Sequence, residues 1–366
     1  MSDQTPYYLA FSYAPGIGPY RFSLLLEEFK TVENIYNASK LELGQILGPR
    51  TVEKFLIFRK EFRPHSISNE LYKKGIHIIP FGSPEYPMQL VHIPDPPICL
   101  YLRGNVKLLS EPYEKYIAIV GTRVPSTYGR ITTRQCARLL SDHGYIIVSG
   151  MAYGIDSEAH AATLDVNGKT VAVLGCGLEA GYPYTGGQMA QRIIDGGGAI
   201  ISEFSPATIT KKGFFVTRNR LVSGLCKAVV VVEGSDKSGT LTTAKYAQDQ
   251  GRDLFAVPSN INSYLSKAPN FLISQGATIV TAPEDILKYY NIKPKQDYKK
   301  FLVENLNEDE ARVADHLAKE FSYADDIARK LKIPIILVSN TLTTLELKGI
   351  IAKNDKGEYY ISNGHS

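Results

Sequence analysis

The chain has 366 residues, 44% of them hydrophobic, with a formal net charge of +4 and a pI of about 8.6. That length exceeds one typical domain of roughly 100–200 residues, so two or three domains with packed cores are expected. With no run near the roughly 18 apolar residues of a membrane span, no signal-peptide pattern, and four widely spaced cysteines without a C-x-x-C pair, a cytoplasmic protein lacking metal and disulfides is expected.

Residues 1–70 read as short helices. "PGIGPYRFSLLLEEF" and "LGQILGPRTVEKFLIFRK" are two similar units, each a glycine-containing turn before an apolar-periodic helix. This is the pattern of a SAM-like or helix-hairpin-helix domain, in which the turn amides of Gly16 to Gly18 would face one phosphate. A helical packing module is the alternative.

Residues 71–290 alternate apolar β-rich runs with helical segments. After the Pro-rich "IPDPPICLYLRG" (93–104), strands are expected at 116–121, 145–150, 170–175, 199–202, 228–233, 253–258 and 277–280. Their hydrophobicity is continuous rather than alternating, so both faces should be covered, and the spacing leaves room for crossover helices. The fold class that follows is α/β, a Rossmann-like doubly wound, mostly parallel sheet. Ligands of such sheets sit beyond the C-terminal strand ends, here near Gly121, Gly150, Gly175, Glu203 and Gly234.

The turn "IAIVGTRVPSTYG" departs from a dinucleotide turn. G-x-G-x-x-G lets bare backbone approach a pyrophosphate, whereas Gly121 is followed by Thr122, Arg123 and Val124, and the next glycine is Gly129. Lys115, Arg123, Arg130, Arg134 and Arg138 lie in a window without an acid, the last three spaced by four on one helix face. A second acid-free window holds Lys211, Lys212, Arg218, Arg220 and Lys227. Together they suggest one basic surface for a polyanion.

"SGMAYGIDSEAHAATL" places Asp156 and His160 at i and i+4, an acid/base pair or half a metal site in principle. With no second ligand nearby and Asp156 suited to a helix start, a structural role is expected. Cys176 has no histidine in a triad-like context, so no catalytic residue is assigned. In "VVEGSDKSGTLTTAKYA", Gly234 and Gly239 have Walker A spacing, but Thr240 stands where the lysine belongs. Ser238, Gly239 and Thr240 can still meet one phosphate through amides and hydroxyls. "KKGFFVTRNRLVSGL" offers Lys212, Phe215, Arg218, Asn219 and Arg220, a mixture of cations, an aromatic face and an amide suited to single-stranded nucleic acid.

The lysine-rich "NIKPKQDYKK" (291–300) reads as a linker. Residues 301–366 have the order of a winged helix, ending in a hairpin that turns at Asp355 to Gly357. Its would-be recognition helix, Ile335 to Leu347, carries one acid and no base, which favours protein contact or packing over DNA reading.

The ordered segments "AIVGTRVPSTYG", "SGMAYGIDSEAH", "VAVLGCGLEAGYP", "ISEFSP", "FFVTRNRLVSGL" and "SGTLTTAKYA" resemble the signature of the DprA (Smf) DNA-processing family over about residues 75–280. The resemblance implies a protein that binds single-stranded DNA, protects incoming DNA in natural transformation and loads the recombinase RecA. It also implies a homodimer joined through the Rossmann-like domain, with no enzymatic cofactor. Arg123 of the "VG[ST]R" turn, with Lys212, Phe215, Arg218 and Arg220, would line the pocket. The chain departs from the family at "VPSNINSYLSKAPN", where Ser259 and Ala268 replace glycines near Asn270. Two rivals remain. One is a nucleotide-binding or nucleotide-hydrolysing relative of the phosphoribohydrolases, although Thr243 stands where their "PGGxGTxxE" glutamate belongs. The other is a transcription regulator using the winged helix.

Overall fold

The computed structural model describes residues 4–180, 186–293, 306–317, 322–348, 350–354 and 357–361. The chain divides into two compact units, Met1–Ile279 and Val280–Ser366.

In the first unit, helices Thr5–Tyr13, Pro19–Phe29, Val32–Asn37, Lys40–Gly44 and Pro49–Glu61 gather around Phe11, Phe22, Leu25, Ile35 and Phe55. Both expected turn-helix units form. Gly18 and Gly48 precede Pro19 and Pro49, where proline's fixed φ and missing N–H suit the first helical turn. Arg21 donates to Gly16 O at 2.7 Å and to Thr51 Oγ1 at 3.3 Å, joining one unit to the other.

One sheet contains β1 (His77–Pro80), β2 (Cys99–Gly104), β3 (Tyr116–Val120), β4 (Ile146–Ser149), β5 (Thr170–Val173), β6 (Ala199–Ser202), β7 (Ala228–Val231), β8 (Asp253–Ala256) and β9 (Thr278–Ile279). Its order is β1-β2-β6-β5-β4-β3-β7-β8-β9, antiparallel at β1 and β2 and parallel from β6 onward. The seven expected runs become β3 to β9. β1 and β2 are additions, because the segment between them is Pro-rich and the second partner of β2, β6, lies about a hundred residues away.

Continuous hydrophobicity is explained by the two covered faces. Ala118, Val120, Val148, Val171, Val229 and Val231 pack with Leu221, Val222, Ala244 and Ala247, from helices Lys212–Gly224 and Gly239–Asp249. On the other face Ala172 and Ile200 pack with Met151 and with Ile193 of helix Gly186–Asp195. Helices Thr127–Asp142 and Ile155–Asp165 share that second face. β3 is the first parallel strand and has β4 on one side and β7 on the other. Successive crossovers therefore run away from it in both directions, and the loops after β3 and β7 flank the crevice where such sheets bind ligands.

The second unit holds helices Glu284–Tyr289, Glu308–Leu317, Ala324–Leu331 and Ile335–Leu347, then β10 (Ile351–Lys353) paired antiparallel with β11 (Tyr359–Ile361). Ser322 bridges Tyr359, adding the third strand position of a winged helix. Val313, Leu317, Ile327, Val338, Leu342 and Leu345 form its core. Of the expected hairpin turn, Asp355 and Lys356 lie outside the described residues. Among the described residues, no helix is long and apolar enough to cross a membrane, and no cluster of His, Cys, Asp or Glu is placed to hold a metal ion. The four cysteines are buried free thiols.

Candidate nucleic-acid interface

The turn after β3 is clamped by its neighbours. Thr122 N donates to Glu233 O at 2.8 Å, and Ile155 N donates to Thr122 O at 3.1 Å. A Cβ at Gly121 would lie 2.5 Å from Ile155 Cγ1, and one at Gly154, whose φ is +84°, would lie 2.6 Å from the carbonyl carbon of Arg123. Only glycines allow that approach. The clamp leaves Arg123 exposed, with no ion pair among the described residues. Its guanidinium carbon sits 5.0 Å from the centre of the Phe215 ring, a cation–π geometry that orients the fork without neutralising it.

Where a Rossmann fold would hold a pyrophosphate, this chain holds its own carboxylate. Glu233, 1% exposed, accepts from Ser126 N at 2.9 Å and from Ser126 Oγ at 2.5 Å at the start of helix Thr127–Asp142. A Cβ at Gly129 would lie 2.5 Å from the Glu233 carboxyl carbon. The helix N-terminus is thus already occupied by a negative charge, and a dinucleotide there is excluded by sterics and charge.

Helix Lys212–Gly224 brings up the aromatic platform. Phe215 is half-buried and lies against Gly175, where a Cβ would meet its ring at 3.0 Å. Phe214 stacks on Phe204 with centroids 4.3 Å apart, and Lys211 Nζ lies 5.9 Å from the Phe214 ring centre. Phe204 escaped the sequence reading, although it follows the expected strand at 199–202 directly. Lys212 begins the helix, and its side chain lies outside the described residues.

Two expected arginine contacts are corrected. Arg218 is 4% exposed, and its Nη1 donates to Gly150 O at 2.5 Å and to Val173 O, tying the ends of β4 and β5. Arg220 is 5% exposed, and its Nη1 and Nη2 donate to Glu203 at 2.6 and 2.7 Å, with Nη2 also reaching Asp95 O at 2.9 Å. These guanidiniums hold the rim together from below rather than meeting solvent. The signal in sequence was Glu203 itself, at the end of the expected strand. Asn219 sits between them and the next turn, accepting from Arg218 Nε at 3.2 Å and donating to Gly239 O at 3.4 Å.

Ser238 caps helix Gly239–Asp249, accepting from Thr240 N at 3.2 Å and pairing with Thr240 Oγ1 at 2.7 Å. Gly239 remains exposed at the rim, whereas Thr240, also expected to meet a phosphate, is corrected: it is buried, with its N–H and hydroxyl both engaged by Ser238. The departures at Ser259 and Ala268 leave an ordered loop. Asn270 bonds both backbone groups of Ser259, at 3.3 and 3.0 Å, and Ala268 is buried against Gly234.

The basic surface also needs correction. Arg130 and Arg134 pair with Glu158 at 2.8 and 3.1 Å, and Arg134, Arg138 and Arg192 pair with Asp165. The acid-free window is local to one helix; the neighbouring helix supplies the acids. Asp156 and His160 are buried beneath the rim. His160 Nδ1 bonds Thr170 Oγ1 at 2.7 Å, and that hydroxyl donates to Ile147 O at 2.6 Å. Burial, with Arg218 nearby, lowers the imidazole pKa to about 3, so the ring is neutral.

Residues 77–291 match the family profile described as DNA recombination-mediator protein A. The chain belongs to the DNA recombination-mediator protein A family. Residues 301–354 match the DprA winged helix domain. Protein Smf of Synechocystis sp. is 35% identical over 299 residues, covering 81% of this chain and 75% of that protein. The X-ray structure of DNA processing protein A (DprA) from Streptococcus pneumoniae superposes with a TM-score of 0.69 at 32% identity, covering 77% of this chain and 97% of that one. A Helicobacter pylori DprA structure, described as revealing a unique single-stranded DNA binding mode, superposes with a TM-score of 0.53 at 31% identity, covering 59% and 95%. The family thus comprises both the sheet and the winged helix of this chain.

Proposed function

We propose that the rim built from Arg123, Phe215, Asn219, Ser238 and Gly239, with Lys212 at its edge, binds single-stranded DNA. The observation that carries this is Arg123, exposed, without an acidic partner among the described residues and set 5.0 Å over Phe215 at the crevice between β3 and β7. A phosphate fits the fork, and an unpaired base fits the ring. The Helicobacter pylori relative, with its single-stranded DNA binding mode, supports the same reading. In this role the chain protects incoming DNA and loads RecA during natural transformation. It acts as a binding protein without cofactor, cytoplasmic, and as a homodimer through the Rossmann-like unit. Ile261, Tyr264 and Phe271 are exposed apolar residues between β8 and β9 and support that dimer.

Nothing favours the nucleotide-hydrolase rival. Thr243, where a catalytic glutamate would be needed, is buried and directs its hydroxyl to Gly239 O. Gel shifts with single-stranded and duplex DNA, beside a nucleotide-hydrolysis assay, test the reading. Preference for single strands without hydrolysis is expected; hydrolysis, or equal binding of duplex, would overturn it.

A further inference from the structure

Beside the Arg123 turn, on the opposite face of the sheet from Phe215, lies a cavity of about 260 Å³. Met151, Tyr153, Ser157, Glu158, Ala161 and Met189 are among the residues that line it, the Glu158 carboxylate being paired with Arg130 and Arg134. Drug-sized ligands use roughly 300–1,000 Å³, so this space suits one ring system rather than a whole nucleotide. Tyr153 is 46% exposed in a segment held in an uncommon conformation: Met151, a bulky residue, has φ +56°, and Gly154 has φ +84°. That same Gly154 touches the backbone of Thr122 and Arg123. The segment that carries Tyr153 is therefore in backbone contact with the Arg123 turn.

The two aromatic residues lie on different faces. Phe215 belongs to helix Lys212–Gly224, whose Leu221 and Val222 pack on one side of the sheet, whereas Met151 and Met189 belong to the apolar cluster on the other. Arg123, at the rim, adjoins both. On that second face Arg130, Arg134, Arg138 and Arg192 are ion-paired with Glu158 and Asp165. Arg130, half exposed, is held at the cavity by Glu158.

We infer that single-stranded DNA crosses the rim from one face of the sheet to the other, placing one unpaired base against Phe215, a phosphate on Arg123 and a further base in the Tyr153 cavity. This rests on the proposed single-stranded DNA function and extends it by a second stacking site with Arg130 beside it. Base–aromatic stacking is tolerant of sequence, so the cavity takes any base whose ring slides between Tyr153 and Met189.

The test is affinity for a short oligonucleotide against salt, for the full-length protein and for Tyr153→Ala, Tyr153→Phe, Arg123→Ala and Phe215→Ala. Tyr153→Ala should weaken binding about five- to a hundredfold with the salt slope unchanged, and Tyr153→Phe should bind like wild type. A 2-aminopurine in the strand should be quenched by wild type and less by Tyr153→Ala. If Tyr153→Ala binds like wild type while Arg123→Ala and Phe215→Ala are weakened, the crossing is wrong and the rim site stands. Equal weakening by Tyr153→Phe and Tyr153→Ala would overturn stacking in favour of the hydroxyl. Wild-type binding by Arg123→Ala and Phe215→Ala would remove the rim reading and this inference with it.

Discussion

Arg123 and Phe215 act as a coupled pair in the proposed site, and their variants separate charge from stacking. Arg123→Ala removes charge-assisted bonds worth about 1.5–3 kcal/mol, so single-stranded DNA binding should fall about ten- to a hundredfold and the salt slope should decrease by about one. Phe215→Ala should lose about 1–3 kcal/mol with the slope nearly unchanged. Because the ring also supports the guanidinium, the double variant should lose less than the two single losses combined; full additivity in a binding titration would show that the pair is not coupled. Arg220 belongs to a different class. Glu203→Ala would strand its buried guanidinium and should cost about 3–5 kcal/mol of stability, read as a lower denaturant midpoint. His160 gives a pH signature. Its pKa falls from near 6.5 unfolded to about 3 in the fold, so as pH drops below 7 the unfolded chain takes up a proton that the native state refuses. Stability should then decline by ~2 kcal/mol between pH 7 and 5. The neighbouring Asp156, pushed upward by desolvation against the pull of Arg218, works in the opposite direction, because its native carboxyl takes up a proton before the unfolded one does. His160→Gln should remove most of the decline in urea titrations; an unchanged decline would assign it elsewhere.

At the scale of elements, the rim depends on backbone contacts that side chains would prevent. Gly154→Ala would both strain a left-handed residue and press a methyl into the Arg123 carbonyl. A loss of about 1–3 kcal/mol, with weaker single-stranded DNA binding by the folded protein, is expected from melting and titration together. Helix Thr127–Asp142 shows how an element's role depends on its neighbour. Its arginines at intervals of four were legible as one face, but pairing with Glu158 and Asp165 follows from the packing of helix Ile155–Asp165 beside it. The same holds for Glu233, whose carboxylate reaches the helix N-terminus only because β7 pairs with β3.

For the whole molecule, each unit has its own apolar core, and the helix Ile335–Leu347 offers Ile336 and Leu347, 74% and 84% exposed, instead of cations. Removing residues 301–366 should therefore leave single-stranded DNA affinity within about threefold of the full chain, since the phosphate and stacking contacts lie in the first unit; a larger loss in a gel shift would give the winged helix a share of the DNA. Continuous apolar runs were sufficient to specify seven parallel strands, because burial on both faces is written into each run separately. The ordered motifs were sufficient to suggest the family. β1 and β2, the internal duty of Arg218 and Arg220, the neutralised arginine stripe and the carboxylate in the would-be phosphate site emerged only from the tertiary structure. Local periodicity records whether a residue is buried; which charge meets which is decided by the crossovers, which bring together residues as distant in sequence as Ser126 and Glu233.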